Sequence, residues 1–142
     1  MILRTRLVVA FFAGALLLTG CGEQSTREGA TDEVSLTVSG GVAGVRRGIE
    51  VGSAGDVFLT DREGSREQAD DLTPAEKKRF NSLLDAVESG GLPSDSVAEK
   101  ARDVFEYRLQ YDGQTLVTDG MTDLGPASDL IAHLKSCMHA RQ

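Results

Sequence analysis

The segment Ser39-Gly40-Gly41-Val42-Ala43-Gly44-Val45-Arg46-Arg47 places three glycines within five residues, between two runs that read as strands. Val34, Leu36 and Val38 alternate with polar residues before it, and Val45, Ile49 and Val51 follow it. Alternation with a period of two marks a strand with one buried face, and a short glycine-bearing link between two such runs marks an antiparallel pair. The glycines of such a link supply positive φ for the turn, or leave the backbone bare enough for a partner to approach closely. Turn geometry is the more ordinary use and comes first.

Outward from this hairpin, Ser53-Ala54-Gly55-Asp56 reads as a turn into a third strand at Val57 to Thr60, and the polar stretch Gly64 to Asp71 reads as a loop. Thr73-Pro74-Ala75-Glu76 then combines three helix-start signals: a threonine N-cap, proline at the first helical position and glutamate three after the cap. Phe80, Leu83, Leu84 and Val87 recur at helical spacing as a core face, and Gly90 sits where a C-terminal cap is expected. After a connector from Gly91 to Ala101, Phe105, Tyr107, Leu109 and Tyr111 alternate with Glu106, Arg108 and Gln110. Asp112-Gly113 is a strong hairpin signal, and Thr115 to Asp119 returns as the partner strand. Pro126 opens a last helix carrying Leu130, Ile131, Leu134 and Met138. The order is βββαββα. Strands grouped rather than alternating with helices predict an α+β fold, a small antiparallel sheet of about five strands packed against two helices, as a single domain over residues 34–139.

The N-terminal region has a different character. Arg4 and Arg6 precede an uncharged run from Leu7 to Leu18, the order of a secretory signal, and about 20 apolar residues would be needed to span a bilayer. The run ends in Leu18-Thr19-Gly20-Cys21, which looks like a bacterial lipobox. Residues 1–20 are accordingly expected to be a lipoprotein signal peptide, with Cys21 the lipid-attachment residue and 21–33 a flexible tether without large apolar side chains. The expected location is extracytoplasmic, on the bacterial cell membrane.

Residues 21 to 142 would carry 13 basic against 22 acidic side chains, a net charge of −9. That balance argues against nucleic acid and against docking on anionic lipid, both of which call for basic patches. With Cys21 assigned to lipid, Cys137 falls on the apolar face of the last helix and reads as a small buried hydrophobe.

The sequence contains no Gly-x-Ser-x-Gly, no His-Glu-x-x-His, no phosphate-binding loop and no dinucleotide fingerprint. His133 and His139, six apart on one predicted helix, fall on different faces and read as solvent-facing or helix-end residues. Asp119-Gly120-Met121-Thr122-Asp123 lacks the length and the closing glutamate of a calcium loop and reads as a turn. The expectation is a protein that is not an enzyme and needs neither metal nor cofactor.

The run Ser39 to Gly44, the acidic helix-bearing middle, the strand at Phe105-Glu106-Tyr107 and the closing spacing of Asp123, Pro126, Leu130 and Leu134 resemble the emfourin family. These are small bacterial protein inhibitors of thermolysin-like zinc metalloproteases. The resemblance spans most of Val34 to Met138 and implies an inhibitor whose partner is such a protease. The export and lipidation signal departs from the plain soluble members of that family.

An inhibitor needs a rigid scaffold that presents a loop to the protease cleft, with the affinity concentrated in a few anchors. Ser39, Gly40, Gly41, Val42, Ala43, Gly44, Arg46 and Arg47 suit that role on loop chemistry. The small residues permit close approach, Val42 can fill an apolar pocket, and two arginines stand beside it in an acidic chain. The Asp112-Gly113 tip is a second candidate. The alternative is an envelope lipoprotein acting as a non-inhibitory protein-binding or assembly module; a small hydrolase is the remote third.

Overall fold

The computed structural model describes residues 33–97 and 103–142. The expected signal peptide, Cys21 and all of the tether but Glu33 lie outside them. Six strands and two helices follow one another as β1 (Val34–Gly40), β2 (Val45–Val51), β3 (Val57–Thr60), β4 (Arg66–Ala69), α1 (Pro74–Gly90), β5 (Phe105–Tyr111), β6 (Gln114–Thr118) and α2 (Pro126–His139). All the strands join one sheet in the order β4-β3-β2-β1-β5-β6, every neighbouring pair antiparallel. The fold is α+β, with both helices on one face.

Cross-strand partners share a face, so the register sorts the side chains into rows. One row joins Val34 to Val51 and Val51 to Val57, and the next joins Leu36 to Ile49 and Leu109, and Leu109 to Leu116. These side chains are buried with Phe80 and Val87 of α1 and with Leu130, Leu134 and Met138 of α2. The opposite face, which includes Ser35, Thr37, Ser39 and Arg46, is polar, as an antiparallel sheet permits when one side meets water.

β4 corrects the sequence reading, which made Gly64 to Asp71 a loop. Arg66-Glu67-Gln68-Ala69 has no apolar alternation to betray it, because as an edge strand it buries almost nothing. Backbone pairing with β3 holds it, aided by Arg66, which lies 3.5 Å over the Phe58 ring and pairs with Glu50. The other edge is closed by the connector: Asp95 Oδ1 accepts the Val117 N–H at 2.9 Å and Ser96 forms a bridge to Thr118.

The start of α1 is as the sequence predicts. Thr73 Oγ1 accepts the Glu76 N–H and the Glu76 carboxylate accepts the Thr73 N–H, a complete capping box. At the other end the positive-φ glycine is Gly91 (φ +73), one residue beyond the Gly90 that the sequence suggested. Arg141 ties α2 to this region. Its guanidinium meets both oxygens of Glu76, at 2.8 and 3.2 Å, and donates to the carbonyls of Asp70, Asp71 and Cys137. The Arg141 hydrogen bonds hold the Glu76 carboxyl down, from 4.5 to about 2.

Candidate protein-binding site

The β1–β2 hairpin tip is built by its glycines. Gly40, Gly41 and Gly44 all have positive φ (+96, +71 and +57), and the Gly44 N–H closes the turn on the Gly41 carbonyl at 3.0 Å. Turn geometry, the first reading of this cluster, is the one observed. At Gly40 a second requirement is added, since a Cβ there would stand 2.7 Å from the Val104 carbonyl oxygen. The Gly41 N–H donates to that same oxygen at 3.3 Å, and the Phe105 ring lies against Gly41. The tip is therefore braced by Val104 and by Phe105, the first residue of β5, and does not stand alone.

Val42 crowns this tip at 92% exposure, with Ala43 and Gly44 exposed beside it. An isolated valine on a surface is unremarkable, but Val104 and Phe105 are also exposed next to it, Phe105 at 40%. The alternation of β5 puts Phe105 on the strand's buried face with Tyr107, Leu109 and Tyr111. Its position explains the difference: Phe105 pairs with Gly40, one row beyond Val38 and Tyr107, where the buried core ends. Sequence spacing contains no record of where the helices stop covering the sheet.

The two arginines do not act together. Neighbouring strand residues point to opposite faces. Arg46 pairs with Ser39 on the open face and is exposed, whereas Arg47 pairs with Val38 on the helix side and donates to Gln142 Oε1 at 3.0 Å. Arg62 reaches towards Gly44 from the β3–β4 turn, within 3.9 Å of where its Cβ would be. None of Arg46, Arg47 and Arg62 forms an ion pair among the described residues, so an acidic protein carries cations around this one tip. The second candidate, Asp112-Gly113, is a tight turn with both residues at positive φ (+47 and +70), but the residues around it, Gly113 and Gln114, are polar or bare.

The remaining chemistry-bearing residues serve the scaffold. Cys137 is buried at 1% exposure, as expected, and burial pushes its thiol up to about 11. His139 is exposed. His133 corrects the solvent-facing reading: it is half-buried between the helices, with Nε2 3.1 Å from the Glu76 carbonyl and 3.7 Å from Cys137 Sγ. Asp119 and Asp123 form local turns, accepting from the N–H of Met121 and of Gly125, each at 2.9 Å. No group of three or more potential metal ligands occurs among the described residues. No family model matches the chain, and no curated protein or solved structure matches it.

Proposed function

We propose that this protein is a membrane-anchored extracytoplasmic lipoprotein whose domain inhibits a thermolysin-like zinc metalloprotease, with the β1–β2 hairpin as the inserting element. The observation that carries the reading is Val42, almost fully exposed at the summit of a turn that three glycines and the Val104 carbonyl hold in place. An apolar anchor that is already ordered loses little conformational entropy on binding, which is what a tight inhibitor requires. The resemblance of the sequence to the emfourin family supplies the target class, and the lipobox at Cys21 supplies the anchor.

β1 runs from Val34 at the tether to Gly40 at the tip, a strand of seven residues or roughly 24 Å. The hairpin thus lies at the end of the sheet away from the point where the tether joins, suited to meet a partner beyond the membrane surface. The full chain in lipid nanodiscs, titrated into a thermolysin-like protease while peptide cleavage is followed, is expected to remove activity stoichiometrically. Val42→Asp is expected to weaken inhibition by roughly tenfold or more without altering the melting curve, because the side chain makes no core contact. Full activity at a large molar excess, across several such proteases, would overturn the inhibitor reading in favour of a non-inhibitory binding module.

A further inference from the structure

The exposed large apolar residues of the described chain are Val42, Val97, Val104, Phe105 and Met121, and all five lie at the hairpin end of the sheet. Val97 and Met121 reach it from the far side. Ser96 bridges to Thr118 in parallel, which carries Val97 past the end of β6, and Met121 follows the same strand end at 80% exposure. Between Met121 and α2 opens a cleft of about 370 Å³, lined by Tyr107, Met121, Ile131, Ala132 and Lys135 with Thr118, Asp119, Gly120 and Ser128. Tyr107 stands two residues along β5 from Phe105, on the same face, so cleft and hairpin are parts of one continuous surface.

The cleft has its own chemistry. Ser128, Ile131, Ala132 and Lys135 occupy one face of α2, at spacings of three and four residues, which sets the ammonium within one turn of an apolar wall. Lys135 is held rather than free to wander. Its Nζ donates to the Tyr107 hydroxyl at 3.1 Å and lies 4.6 Å from the Tyr107 ring centroid. It has no ion-pair partner among the described residues. Asp119, the acidic group of the lining, is buried, and its Oδ1 accepts the Met121 N–H. Met121 forms the outer lip, an unbranched and adaptable side chain suited to closing over an apolar guest.

We propose that this cleft is a receptor for the carboxyl-terminal residue of a peptide segment, its apolar side chain between Met121, Ile131 and Ala132 and its carboxylate on Lys135. Because Lys135 follows Ile131 by one helical turn, the cation favours a carboxylate on the same residue as the apolar side chain. A mostly apolar pocket with a few convergent polar groups is the usual form of such a site. The inference rests on the reading of this end as a docking surface and adds a second contact to it: the hairpin inserts into the partner while the cleft receives a segment from it.

The test uses methyl and amide NMR of the full chain in nanodiscs, with three probes: N-acetyl-leucine, N-acetyl-leucine amide and acetate. N-acetyl-leucine is expected to shift the Met121 and Ala132 methyl signals saturably, the amide to bind at least about fivefold more weakly, and acetate to leave the methyls unmoved. Lys135→Met should reduce the acid to the affinity of the amide, and the surface change Met121→Ser should weaken both. Absence of a saturable shift up to about 20 mM, equal binding of acid and amide, or an equal response to acetate would each overturn the proposal. The probes contain no protease, so a chain that inhibits nothing can pass this test, and an inhibitor without a receptor cleft will fail it.

Discussion

Replacing Gly40 by alanine tests the bracing of the hairpin directly. Two effects oppose the new methyl group. At φ +96 an L-residue lies outside the left-handed well, which costs on the order of 1–3 kcal/mol. In addition, the Cβ would stand 2.7 Å from the Val104 carbonyl oxygen, so β1 or β5 must shift and stretch the bond from Gly41 N–H to that carbonyl. The loss of a typical backbone hydrogen bond is about 1 kcal/mol, and the two effects together reach roughly 2–4 kcal/mol. Gly64→Ala is the matched control: φ there is +87, but nothing lies within 4 Å of the added Cβ, so it carries the conformational cost alone. Urea melts of both variants of the full chain, followed by circular dichroism, should place Gly40→Ala below Gly64→Ala by about 1 kcal/mol or more. Gly40→Ala should also weaken protease binding in proportion to the displacement of Val42. Equal destabilisation of the two variants would refute the close-approach argument and leave the tip as an ordinary turn.

Other expectations concern the scaffold. Glu76 has a folded pKa of about 2 against an ordinary 4.5, so its ion pair with Arg141 stabilises the fold fully above about pH 5 and is lost as pH falls towards 2. Glu76→Gln should therefore cost on the order of 2–3 kcal/mol at pH 7 and almost nothing near pH 2, as read by chemical denaturation at both values. Thr73→Ala removes the cap of α1 and should cost about 1 kcal/mol in the same assay. Phe80→Ala opens a cavity between α1 and the sheet, and about 3–5 kcal/mol of destabilisation is expected. The thiol of Cys137, buried and held up at about 11, should resist a thiol reagent at pH 8 in the native chain and react at once in denaturant.

Much of this architecture is legible in the residues because the signals are local. Thr73, Pro74 and Glu76 specify the start of α1 through bonds within four residues. The alternation in Val34 to Val38 and Phe105 to Tyr111 specifies strands, because a strand with one wet face must repeat every second residue. The glycines at 40, 41 and 44 and the Asp112-Gly113 pair specify turns, because few other residues accept positive φ. β4 escapes this logic. An edge strand that buries little more than part of Ala69 leaves no apolar pattern, and pairing with β3 next to it makes Arg66 to Ala69 a strand.

The surface at the hairpin end divides in the same way. That Val42 stands on a glycine turn follows from the chain by itself, as does the acidic balance of charge. Tertiary structure decided that Val104 and Phe105 brace that turn, that Arg46 and Arg47 part to opposite faces with Arg47 engaged by Gln142, and that Val97 and Met121 arrive at the same end. It also decided that Lys135 and Tyr107 meet across 28 positions of sequence. The physical reason is range. Backbone conformation and alternation are determined by neighbours a few bonds away, whereas exposure depends on which distant segment covers a residue, and here the buried core ends at the row of Val38 and Tyr107, one row short of the tip.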